Sequence, residues 1–350
     1  MVPTVRTTAY QPLHQRQIFN RERAKMSDAT YDVLGVGNAI VDIIAQADEA
    51  FLAKHSMPKG GMALIDEDQA HAIYADMGSA IEASGGSAAN TIAGVASFGG
   101  KAAYIGKVKD DEFGRIFAHD LQSIGVRFAT PAATDGAATA RCLVLVTDDA
   151  QRTMNTHLGA CVNLTSDDID ADLVAASAIT YLEGYLFDPP AAKEAFRKAS
   201  TIARQAGRKV ALTLSDSFCV HRYKDEFKAL IADHIDILFA NESEIEALYG
   251  STDIAAAAND LASKIDIAAI TMSAKGSLIA SGSERVAIPA APISELVDTT
   301  GAGDLYAAGA LFGFSRHLPF AECGRLGSLA AAEVIQHYGA RPLQALGELA

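Results

Sequence analysis

From Tyr31 onward, short apolar runs alternate with amphipathic ones, and this rhythm constrains the fold more than any other feature. Residues 32–37, 102–106, 178–182, 209–214, 235–239 and 268–272 read as strands. Several lack polar alternation, as strands buried on both faces do. Helical patterns fill the gaps at 87–98, 113–124, 191–206, 224–232, 242–249 and 254–263, and two more close the chain at 301–316 and 320–337. Strand–helix alternation predicts a mostly parallel sheet covered by helices, a three-layer α/β/α domain.

Two regions break the rhythm. Residues 39–66 read as extended chain with a turn at Pro58 to Gly61. Residues 138–158 read as a hairpin of 139–146 and 152–157 around a polar turn. Together they predict a small inserted β-sheet that packs beside the main domain as a lid. The main domain is expected over 31–341.

The first 25 residues carry a net charge of +4, and the remainder carries −18 of the whole chain's −14. We expect residues 1–29 to form a disordered leader, with Met26 as an alternative start and a targeting peptide as the competing reading. A chain this acidic lacks the basic face that nucleic-acid binding requires. No apolar stretch approaches the roughly 18 residues of a membrane span. The four cysteines, Cys142, Cys161, Cys219 and Cys323, show no paired spacing and read as reduced thiols of a cytoplasmic protein. No His pair has zinc-ligand spacing.

The strongest motif is Asp298-Thr299-Thr300-Gly301-Ala302-Gly303-Asp304, which opens a helix. Its glycines allow close backbone approach, and a helix start offers unpaired N–H groups to a phosphate. Asp304 in the first turn can accept a proton from an attacking hydroxyl while the amides hold the transferring phosphoryl group. The competing reading is an ordinary tight turn. Ser84-Gly85-Gly86-Ser87-Ala88-Ala89-Asn90 opens another helix, with Asn90 placed to bond a hydroxyl, or else with Ser87 as N-cap and Asn90 in water. Gly37-Asn38-Ala39-Ile40-Val41-Asp42 ends the first strand. Asp42 in an apolar run needs polar partners, and sugar hydroxyls would serve. The alternative is a turn that points it to solvent. Asn241 and Glu244 match a capping box, and also a position near phosphates with Glu244 bearing on Mg²⁺ through water. Arg152, past the hairpin turn, can reach a phosphate or lie in water.

No P-loop motif is present, and Gly35-Val36-Gly37 lacks the third glycine of a dinucleotide fingerprint. In motif order and content the chain resembles the ribokinase (PfkB) family of carbohydrate and nucleoside kinases. Gly85-Gly86-x-x-x-Asn90 resembles its first signature, 298–304 its second, and Asn241-x-x-Glu244 its N-x-x-E motif. The resemblance implies a Rossmann-like domain with a β lid, ATP as phosphoryl donor and Mg²⁺. It implies Asp304 as base and Gly301, Ala302 and Gly303 as anion hole. Asn38, Asp42, Gly85, Gly86 and Asn90 become acceptor contacts. Thr271, Ser273 and Gly276 resemble the family's T-x-G-x-x-G nucleotide segment, with Ser273 where glycine is usual; Thr300 and Arg152 join them on the ATP side. Within the family the nearest likeness is to the branch that phosphorylates adenosine. There, aromatics after the position of Gly184 hold the base, which makes Tyr185 a candidate contact in the run Tyr185-Leu186-Phe187. A sugar kinase of the same family is the first rival. A non-catalytic nucleoside-binding protein is the second, disfavoured because a binder has no need of Asp304. The expected partners are a nucleoside or sugar and ATP. A monovalent cation near Asp298, and a monomer or a homodimer, are left open by the sequence.

Overall fold

The computed structural model describes residues 28–149 and 151–350. Residues 1–27 of the expected leader, with the alternative start at Met26, lie outside the described residues, while Ala29 packs against the core. The strands run β1 Tyr31–Val36, β2 Ile40–Gln46, β3 Met62–Leu64, β4 Ile81–Gly85, β5 Ala102–Ile105, β6 Arg127–Phe128 and β7 Ala140–Val146. They continue with β8 Arg152–His157, β9 Ser177–Glu183, β10 Lys209–Thr213, β11 Ile237–Asn241, β12 Ile267–Thr271, β13 Ser277–Ser281 and β14 Glu284–Ile288.

Nine of these form one sheet in the order β14-β13-β12-β11-β10-β9-β1-β5-β6. It is parallel from β12 through β6, and the antiparallel pair β13–β14 finishes one edge. Both faces are covered, and the period-two geometry of a strand sends neighbours to opposite cores. Val33, Tyr181 and Phe239 pack under the helices Ser87–Ser97, Ala302–Ser315 and Phe320–Val334. Leu34, Leu182 and Leu212 pack under Pro190–Gln205, Glu242–Tyr249 and Ile254–Ala262. This is the three-layer arrangement that the unbroken apolar runs predict.

The other five strands form a separate sheet, β3-β8-β7-β2-β4. The hairpin of β7 and β8 is antiparallel as read from the sequence. The extended reading of 39–66 needs correction. Asp48 caps a helix, Glu49–Lys54, by accepting from the Phe51 N–H, so the chain turns between β2 and β3. Strand β4, which pairs with β2 and runs straight into Gly86, belongs to this sheet; it is short, and small residues dominate it, so its pattern does not stand out as a strand. The pairing of β2 with both β4 and β7 brings Asp42 beside Ala83 and Cys142.

Candidate active site

Parallel strands put their carboxyl ends in one row, where open α/β sheets bind ligands. Here that row reads Thr271 at the end of β12, Asn241 at the end of β11, Glu183 at the end of β9 and Asn38 after β1. The helix Ala302–Ser315 begins beside it. Gly301 takes a left-handed φ of 79° at its N-cap, and a Cβ there would come within 2.8 Å of the Ala340 Cβ. Gly303 faces open space. Asp298 shapes the approach: its Oδ1 accepts from the Thr300 N–H at 3.1 Å and the Thr300 hydroxyl at 2.8 Å. The Ala302 N–H is turned back to the Thr299 carbonyl at 3.2 Å. The N–H groups of Gly303 and Asp304 lie at the helix start, where no helical carbonyl is available to them.

Asp304 is half-buried and held from the facing helix. The Ser87 hydroxyl donates to Oδ1 at 2.6 Å and the Asn90 amide to Oδ2 at 3.0 Å. The Thr91 hydroxyl fixes its carbonyl at 3.1 Å. Burial raises the Asp304 pKa, against the pull of the Ser87 and Asn90 bonds and of the Arg341 charge. The capping alternative for 84–90 does not describe the structure. Gly86, not Ser87, is the N-cap, and Asn90 is buried rather than solvated. Its Oδ1 is unpartnered within the protein and is available to a hydroxyl donor.

Gly86 has φ 93°, and a Cβ would meet the Asn38 carbonyl at 2.3 Å. Gly85 lies against Asp42, whose Oδ2 would be 2.2 Å from an added Cβ. Burial lifts the Asp42 carboxyl to about 6, moderated by Arg341 and then Arg152. Asn38 is buried and gives its amide to Glu183 Oε1 at 2.8 Å, leaving its Oδ1 without a partner. Three amide or carboxylate groups with free acceptor capacity therefore converge near Asp304, as a polyhydroxylated acceptor requires.

On the other side, Asn241 and Glu244 form a complete capping box. The Asn241 N–H and amide donate to the two Glu244 oxygens at 3.0 and 2.7 Å, and Asn241 Oδ1 accepts from the Glu244 N–H at 2.9 Å. Glu244 is buried, and desolvation lifts it to about 7. Among the described residues no group of three His, Cys, Asp or Glu side chains could hold a metal ion. An ion held by phosphates and water asks only for a carboxylate such as Glu244 nearby. Ser273 keeps the glycine-like conformation of its motif, with φ 51°, and Gly276 has φ 91° against the Ile288 carbonyl. Thr271 closes β12.

Arg152 is not a solvated turn residue. It opens β8, pairs with Asp298 Oδ2 at 2.7 Å and lies over the Tyr338 ring at 5.1 Å. Its Nε and Nη2 are buried without partners. The run after Gly184 divides between surface and core. Leu186 and Phe187 are buried in the core, Phe187 stacked on Phe227 at 4.6 Å, so Tyr185 alone is open to a ligand.

Two site residues escaped the sequence reading. Glu183 is fully buried, accepts from Asn38 and from the Ala88 N–H at 2.8 Å, and is lifted by burial to about 7. Its signal, a carboxylate in a largely apolar run, is the same one that marks Asp42. Arg341 bonds Ser84 and faces Asp42 and Asp304. No local pattern announces it, because its hydrogen-bond partner Ser84 lies 257 residues away in sequence.

An α/β sheet with a carboxylate at a glycine-flanked helix start suits phosphoryl transfer to a hydroxyl, and the similarities of the chain make it a phosphotransferase with a hydroxyl acceptor. The chain belongs to the pfkB family of carbohydrate kinases, whose profile matches residues 76–345, and ATP is the family's co-substrate. The fold superposes on the crystal structure of adenosine kinase from Sinorhizobium meliloti with a TM-score of 0.85 and 52% identity, covering 92% of this chain and 98% of that one. A probable sugar kinase protein from Rhizobium etli CFN 42 gives 0.85 and 50% over 92% and 98%. The adenosine kinase of Saccharomyces cerevisiae is 28% identical over 332 residues, 89% of this chain and 96% of the yeast protein. Among the described residues no helix is long and apolar enough to cross a membrane.

Proposed function

We propose that this chain transfers the γ-phosphoryl group of ATP to the 5′-hydroxyl of adenosine, giving AMP and ADP. The observation that carries the reading is Asp304, at the start of the Ala302–Ser315 helix and oriented by Ser87 and Asn90. Asp304 takes the hydroxyl proton as the oxygen attacks the γ-phosphorus. The amides of the helix start and Arg152 meet the charge of the transferring group. Asn38, Asp42 and Asn90 hold the ribose hydroxyls, with Gly85 and Gly86 giving the sugar room, and Tyr185 flanks the base. Thr271, Ser273, Gly276, Thr300 and Asn241 line the ATP side. Glu244 would hold Mg²⁺, which would neutralise phosphate charge. The smaller sheet serves as the lid that excludes water.

The similarity to the Sinorhizobium adenosine kinase supports adenosine as acceptor. The nearly equal similarity to the Rhizobium sugar kinase favours a second reading, a sugar acceptor. Four free, buried thiols suit a cytoplasmic enzyme. An ATP-consumption panel with adenosine, guanosine, inosine, ribose, fructose and 2-keto-3-deoxygluconate tests the proposal. Turnover confined to adenosine is expected. Turnover of a sugar but of no nucleoside overturns the acceptor and keeps the kinase.

A further inference from the structure

We propose that Arg341 is a positioning residue of this site, a cation clamped at the end of β4 that keeps Asp42 and Asp304 ionised in a dry cleft. The inference rests on the kinase reading above. Its geometry comes from the segment that follows the Phe320–Val334 helix. The Gly339 N–H lies 3.4 Å from Asp298 Oδ2, and Ala340 packs against Gly301. Arg341 then reaches across to the smaller sheet. Its Nε donates to the Ser84 carbonyl and its Nη2 to the Ser84 hydroxyl, both at 3.1 Å. Ser84 is the residue before Gly85, against which the Asp42 carboxylate rests.

Both hydrogen bonds of Arg341 are to neutral oxygens, so its charge is left to act on the carboxylates around it. Those facing it are Asp42, Asp120 and Asp304, with the phenol of Tyr104. Asp304 in turn bears on Asp42, Glu183 and Glu244, so acidic groups crowd here and each opposes the ionisation of the others. Arg152, the other cation near Asp42, is already paired with Asp298. Burial lowers Arg341 to about 10, which leaves it cationic at neutral pH. A base that must be ionised to accept a proton needs such a counter-charge once the cleft closes and water leaves.

The experiment is the pH profile of kcat/KM for the acceptor, at saturating ATP, in the wild type, Arg341→Met, Arg341→Lys and Ser84→Ala. Loss of a neighbouring cation raises a carboxyl pKa by about one unit or more. The acid limb of Arg341→Met should therefore move up by about one pH unit, a loss of about tenfold below the limb, with rates converging above it. Arg341→Lys and Ser84→Ala should keep the wild-type limb, because both keep the charge. Should Arg341→Met not fold, Arg341→Gln, which retains donors for Ser84, carries the same comparison. An unmoved limb with a pH-independent loss, or Arg341→Lys displaced as far as Arg341→Met, overturns the role while leaving the kinase reading intact. A wild-type chain that phosphorylates no acceptor overturns both.

Discussion

Arg152 and Asp298 are joined by a 2.7 Å ion pair, and each side chain is less than a tenth exposed. The pair ties the first strand after the hairpin turn to the loop that precedes the Ala302–Ser315 helix. Arg152 lies on the smaller sheet and Asp298 on the main domain, so the contact holds the two together.

Removing either partner leaves a buried charge, but not to the same extent. Asp298→Ala strands Arg152 and both donors of Thr300, whereas Arg152→Met leaves Asp298 bonded to Thr300. Asp298→Ala should cost about 3–5 kcal/mol, the range for a broken buried pair. Arg152→Met should cost less and should raise the KM for ATP. Urea unfolding of the two variants checks the order; equal or reversed losses refute it.

Asp304→Asn should reduce kcat about 10²–10⁴-fold, the usual contribution of a positioned acid or base. The amide keeps an oxygen for one of Ser87 and Asn90 but sets a donor against the other, so acceptor affinity should fall only modestly. Calorimetric titration of adenosine, together with ATP turnover, separates the two effects. A variant within tenfold of wild-type kcat is incompatible with Asp304 as the base.

Gly301 and Gly303 should respond differently to alanine. At Gly301 the left-handed backbone and the contact with Ala340 make a Cβ strained, at about 1–2 kcal/mol. At Gly303 nothing opposes a Cβ, so stability should hold while the methyl group intrudes where a phosphate would lie. Thermal melts and turnover of both variants test this. A Gly303→Ala enzyme with full kcat would remove Gly303 from the anion hole.

Glu183 gives stability a pH dependence of unusual sign. Its carboxyl ionises near 4.5 when unfolded and near about 7 when buried. Between those values the folded chain keeps a proton that the unfolded chain has lost, so stability falls as pH rises through the window. The contribution, present below pH 4.5 and lost above about 7, is about 3 kcal/mol. Glu183→Gln should flatten the decline in Tm between pH 5 and 8. An unchanged slope would show that Glu183 does not carry it. The same variant should raise the acceptor KM, because a glutamine amide turns Asn38 and withdraws its free Oδ1.

The sequence by itself determined the layers and the motifs. Apolar runs such as Val33 to Val36 can be buried only between two helical layers, and the 298–304 string carries its geometry locally, in glycine torsions and a helix start. Tertiary structure alone decided what each side chain does. Asn241 and Glu244 satisfy each other, Leu186 and Phe187 belong to the core, and Arg152 pairs through one nitrogen with Asp298. Glu183 meets Asn38 because β9 lies beside β1, 145 residues away in sequence. Arg341 reaches Ser84 from the far end of the chain. Periodicity reports which face of an element is buried, but a hydrogen bond or a field depends on distance across elements, which only the packed sheet and its inserted neighbour set.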